Sequence, residues 1–77
     1  MKVRETIERA GNDLSAQVFE ESYDSMASAV DAWRRWCAGA LEAWGEDVEK
    51  VEMTETSGKY CMYITDGANN TTIEIIH

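Results

Sequence analysis

Few side chains in this 77-residue chain can do covalent chemistry, and they stand far apart. Cys37 and Cys61 form no Cys-x-x-Cys motif and have no histidine beside them. A thiol attacks as its thiolate, next to a base or cation that draws off the proton. The single histidine is His77, so such chemistry requires adjacent strands to bring Cys61 and His77 together. Two packed free thiols are the simpler expectation, because disulfides belong to exported chains. No G-x-S-x-G, P-loop, H-E-x-x-H or G-x-G-x-x-G motif occurs. The sequence therefore predicts no catalytic, cofactor-binding or metal-binding residues and a non-enzymatic protein.

Asp66-Gly67-Ala68-Asn69-Asn70 has the outline of a calcium loop. Counting from Asp66, however, Ala68 takes a ligand position, Thr71 stands where glycine is required, and His77 replaces the bidentate glutamate. A tight turn is expected instead. Asn69-Asn70-Thr71 and Asn70-Thr71-Thr72 fit the glycosylation pattern, which is used only on exported chains. The opening Met1-Lys2-Val3-Arg4-Glu5 leads into no apolar signal stretch, so a cytoplasmic location is expected.

Charge is the more informative property. Fifteen Asp and Glu against seven Lys and Arg give a formal net charge of -8. With 44% hydrophobic residues and three Trp, the chain is too apolar for a disordered acidic tail. Phosphate is repelled by such a surface, and Arg34-Arg35 is the only adjacent basic pair, so direct nucleic-acid and anionic-membrane binding are disfavoured. Some carboxylates have local uses. Asp24 sits near a helix start, Asp31 is four residues before Arg35, Asp13 and Asp66 sit in turn sequences, and Glu5 precedes Arg9 by a helical spacing. The others concentrate in one stretch, Glu42, Glu46, Asp47, Glu49, Glu52 and Glu55, opposed by Lys50 alone.

The elements that must carry these groups follow from periodicity. Met26, Ala29, Val30, Trp33, Cys37, Ala40, Leu41 and Trp44 recur at steps of three and four, which predicts a helix over 24–44. Ser22, Asp24 and Ser25 are its candidate N-caps, and Gly45 fits its end. Beyond Gly45 the period becomes two, and strands are expected over 48–56, 59–65 and 71–77, a three-stranded meander separated by Ser57-Gly58 and 66–70. Val51, Met53, Tyr60, Met62, Ile64, Ile73 and Ile75 are assigned to the helix-facing side. Residues 1–21 read as a hairpin around Gly11-Asn12-Asp13 or as a helix. The hairpin is preferred because it widens a narrow sheet. The expected fold is a single small two-layer α+β domain, one amphipathic helix on an antiparallel sheet, in the order ββαβββ.

Two surfaces are left for binding. Ala32, Trp36, Gly39 and Ala43 form a strip beside the main helical stripe, suited to a homodimer or to a partner contact anchored by Trp36. Either the hairpin or the core edge could also cover it. On the back of the sheet, Glu52, Thr54, Cys61, Tyr63, Thr72, Glu74 and Ile76 point away from the helix, with Tyr63 and Ile76 framed by Glu52 and Glu74. The leading expectation is a protein-binding module steered to a basic partner, such as a nucleic-acid-binding complex, whose groove its carboxylates occupy in place of phosphates. Candidate contact residues are Trp36, Glu42, Glu46, Asp47, Glu49, Glu52, Glu55, Tyr63, Glu74 and Ile76. In size and charge the chain is similar to phage-encoded inhibitors of bacterial defence, including some anti-CRISPR proteins. That likeness lies in composition, not in a motif, and implies an inhibitory nucleic-acid mimic. Alternatives are a homo-oligomeric assembly protein and a small enzyme or ligand-binding domain.

Overall fold

The helix starts where a hydroxyl can cap it. In the computed structural model, which describes residues 1–9, 16–56 and 58–77, Ser25 is extended and its Oγ accepts the Ser28 N–H at 3.1 Å. Ser25 is thus the cap used among the three candidates, and α1 runs Met26–Trp44. Gly45 ends it at φ 58°, a left-handed backbone open to glycine without Cβ strain, and its N–H returns to the Leu41 carbonyl. A short 3-10 turn, Gly45–Asp47, follows.

Among the described residues there are five strands: β1 (Lys2–Glu8), β2 (Gln17–Ser22), β3 (Lys50–Thr56), β4 (Lys59–Thr65) and β5 (Asn70–Ile76). The order is ββαβββ, and the strands form one antiparallel sheet arranged β2-β1-β5-β4-β3. β1 and β2 pair as a hairpin, Val3 opposite Glu21 and Ile7 opposite Gln17. The predicted turn Gly11-Asn12-Asp13, with Ala10 and Leu14, lies outside the described residues, as does Ser57. Glu5 is in a strand, so its helical pairing with Arg9 does not arise. On its other side β1 pairs with β5, Val3 opposite Ile75 and Ile7 opposite Thr71, so the outermost strands in sequence are neighbours in the sheet.

α1 lies over β5 and its neighbours β1 and β4. Val3, Ala29, Ala32, Trp33, Cys37, Met62, Ile64, Ile73 and Ile75 are buried between the layers. Two indoles pin the helix to β5. Trp33 Nε1 donates to the Ile73 carbonyl at 2.8 Å and Trp44 Nε1 to Thr71 Oγ1 at 3.1 Å. Trp33 also meets the Tyr60 ring edge to face, with centroids 5.4 Å apart. The buried stripe turns toward Ala32, which is fully buried, and away from Val30, which is half-buried.

One expectation about the core is corrected. Val51 and Met53 do share the helix-facing side, opposite Ile64 and Met62, yet they are 41% and 50% exposed. The reason is width. A helix is about 10 Å across, whereas five strands about 4.8 Å apart span nearly 20 Å, so the outer strands extend past it. Phe19 on β2 is left out on the opposite flank for the same reason. No helix among the described residues is long and apolar enough to cross a membrane.

Candidate protein-binding surface

The acidic stretch does not stay together in three dimensions. Glu42 lies near the end of α1, Glu46 and Asp47 in the 3-10 turn, and Glu49 just before β3, all exposed. Glu52 turns to the back of the sheet, where it accepts from Lys50 Nζ at 2.7 Å. Glu55 stands at the far end of β3 on the helix side, where Arg34 Nε donates to it at 2.9 Å. What remains is a cluster at one end of the molecule, Glu42, Glu46, Asp47 and Glu49.

Two carboxylates from outside that stretch, Asp66 and Glu8, join this end. Asp66, in the β4–β5 turn, accepts from the backbone N–H groups of Ala68 and Asn69 at 2.9 and 2.6 Å and from Asn69 Nδ2 at 2.9 Å. The Asn69 bonds, backbone first, hold its carboxyl below the usual range. These donors come from the turn itself, in keeping with the turn reading of 66–70, and Gly67 supplies the φ of 92° that it needs. The Glu49 carboxylate lies against this turn, its Oε2 3.1 Å from where a Cβ on Gly67 would stand. Glu8 is the second arrival, placed by the pairing of Glu8 with Asn70 and of Asn70 with Thr65. Arg9 and Lys50 are the cations at this end, and Lys50 is engaged by Glu52.

A cavity of about 480 Å³ opens here between α1 and the sheet. Ile7, Ala40, Ala43 and Trp44 supply its apolar wall, and Glu5, Arg9, Asp47 and Asp66 its charged groups. The Trp44 ring is held by its bond to Thr71. Glu5 is half-buried, makes no hydrogen bond or ion pair among the described residues, and has its pKa raised by burial. A carboxylate between Val3 and Ile7, on the apolar side of a strand, is the sequence signal that points here. It becomes readable only with β1 placed inside the sheet, between β2 and β5.

The remaining candidates occupy other places. Trp36 is half-buried and packs on the core edge. Since Ala32 is wholly inside, the strip proposed for a homodimer is divided, and only Gly39 and Ala43 are exposed. Tyr63, Glu74 and Ile76 lie on the sheet back and are half-buried. The Tyr63 hydroxyl donates to Asn70 Oδ1 at 2.8 Å, so this side chain is tied to the sheet. Glu74 lies between Cys61 and Arg4, while Arg4 Nε donates to Glu20 at 2.6 Å.

The thiols face opposite sides of the sheet, both unbridged. Burial pushes Cys37 up to about 12, and Cys61 is raised by burial and then by Glu74. His77 Nε2 is 2.8 Å from the Gly58 carbonyl. No protein-family model, curated protein or solved structure matches the chain.

Proposed function

We propose that the protein is a non-enzymatic binding module whose acidic end docks on a basic surface of a protein partner, in the manner of a nucleic-acid mimic. One observation carries this reading: the carboxylates gather at the C-terminal end of α1, where they oppose the helix dipole. The first turn of α1 has no acidic residue and the last turn no basic one. Charges arranged for stability run the other way, and each misplaced carboxylate costs about 0.3–1 kcal/mol. An arrangement that costs stability is intelligible if an external cation offsets it. The cavity beside Trp44 gives a lysine or arginine of the partner an apolar wall for its stem and carboxylates for its head. A nucleic-acid-binding protein is the natural source of such a surface, and occupying it would exclude phosphate competitively.

The test is affinity capture from a native host lysate over a salt gradient, followed by competition between the protein and duplex DNA for what is retained. The expected partner is released as salt rises and is displaced by DNA. Changing Glu42, Glu46 and Asp47 together to Lys is expected to weaken the complex at least roughly tenfold, chiefly through association rate. A complex indifferent to both salt and this charge reversal would end the proposal.

A further inference from the structure

We infer that β3 is a docking edge, to which an extended segment of the partner adds as a further strand. The inference rests on the proposed reading only for the partner's basic character. β3 is the last strand of the sheet, paired with β4 on one side, and every residue of Lys50–Thr56 is exposed. Its register against β4 runs unbroken from Lys50 opposite Thr65 to Thr56 opposite Lys59, without a bulge, and the chain has no proline. Edges are ordinarily blunted by such interruptions or by charge, and the charges that β3 does carry, Lys50, Glu52 and Glu55, are engaged in ion pairs within the fold. Beside this edge, Val51 and Met53 make a half-exposed apolar ledge next to buried Ile64 and Met62, on a strand that α1 meets through Arg34 at Glu55. β2, the other edge, offers on the same side a single apolar residue, Phe19, between Gln17 and Glu21.

The charge pattern selects the occupant. The helix-side row along this edge reads Glu49, Val51, Met53, Glu55, and Arg34 already engages Glu55 through Oε1, leaving Oε2, so a complementary strand carries a basic residue opposite Glu49, apolar residues opposite Val51 and Met53, and a second, more weakly held basic residue opposite Glu55. A second copy of this chain does not fit. Antiparallel two-fold pairing centred on Val51 sets Glu49 against Met53. Centred on Glu52, it sets Glu52 against itself and Glu49 against Glu55. Centred on Met53, it sets Val51 against Glu55. Every register would also bring together two chains with a net charge of -8.

The probe is a capped synthetic heptapeptide, Lys-Thr-Val-Thr-Val-Thr-Lys, titrated into isotope-labelled protein and followed by amide chemical shifts and hydrogen exchange. Shift changes centred on β3, with slowed exchange at its outward amides, are expected. Val51→Lys and Met53→Lys, both at exposed positions and checked for an unchanged circular-dichroism spectrum, should each weaken binding at least roughly tenfold. N-methylation of the peptide on one alternate set of residues should abolish binding, and on the other set spare it. Replacing both peptide lysines by Glu should weaken it as well. Strand addition is overturned if no β3 amide responds, if Val51→Lys and Met53→Lys bind as the unaltered protein does, or if the two methylation patterns behave alike. A dimeric mass that depends on Val51 would overturn the choice of occupant. Reversal of Glu42, Glu46 and Asp47 should change peptide binding by less than roughly threefold, so loss of salt-sensitive partner docking with retained peptide binding overturns the acidic-end reading alone.

Discussion

Glu5 and Asp66 border the same cavity, and their pKa values are shifted in opposite directions, Glu5 by burial and Asp66 by the hydrogen bonds of its own turn. Burial, with no partner among the described residues, raises the Glu5 pKa, so between the unfolded and folded values the folded state keeps a proton that the unfolded chain has released. Its contribution is fully present below the unfolded value and is lost as pH rises through the folded one. Replacement by Gln removes this penalty. Glu5→Gln is expected to raise stability at neutral pH, on the order of 0.5 kcal/mol, and to lessen its decline as pH climbs out of the carboxylate range. Urea denaturation across that range checks both. Asp66 is held low by the Asn69 and Ala68 donors, so its contribution is present above the unfolded value and fades as pH falls through the folded one. Glu20, lowered by its hydrogen bond to Arg4, follows Asp66. The cysteines give a second residue-scale prediction. With Cys37 pushed up to about 12 and Cys61 also raised, alkylation by iodoacetamide at neutral pH should be slow at both, slower than at a free cysteine peptide. Rapid labelling of Cys61 would contradict the environment described for it.

At the scale of the helix, stability and proposed docking pull against each other. Glu42→Lys or Glu46→Lys should stabilise the folded protein by about 0.3–1 kcal/mol, visible as a higher melting temperature, while weakening partner docking. Ser25→Ala should do the reverse of a stabilising change, costing about 1 kcal/mol with docking unaltered. Both ends of α1 were legible in the sequence because caps are local: Ser25 and Gly45 act within four residues. The strand faces were equally legible, since period two places Met62, Ile64 and Ile73 together regardless of what covers them. Neighbours in the sheet were not legible. Nothing near Val3 announces Ile75, and without that pairing neither Glu5 in the cavity nor Glu8 at the acidic end can be inferred. The acidic run is continuous in sequence but divided by the strand. Successive residues of β3 face opposite sides, so Glu52 and Glu55 separate and find Lys50 and Arg34.

The whole molecule is a sheet too wide for its single helix. Apolar side chains therefore have sharply different worth according to their distance from α1. Trp33 is 1% exposed, bonded to Ile73 and packed on Tyr60, and Trp33→Ala should cost about 3–5 kcal/mol, enough to unfold much of a domain this small. Met53→Lys, on the uncovered ledge, should alter stability by no more than about 0.5 kcal/mol. Comparing the two by chemical denaturation tests whether the helix covers β1, β5 and β4 and stops there. The place of β5 has a further consequence, for the order of events during synthesis. The last of the five described strands to be made lies between β1 and β4, so before residues 70–76 leave the ribosome this sheet can hold only two separate hairpins, β1–β2 and β3–β4. Two-stranded pieces of this kind are marginal in water. Closing β1 onto β5 then joins residues far apart in sequence, Lys2 with Ile76 and Glu8 with Asn70, at a high loop-closure cost. Folding should therefore be late and all-or-none, and a nascent chain stalled before Asn70 should remain open to protease along its whole length.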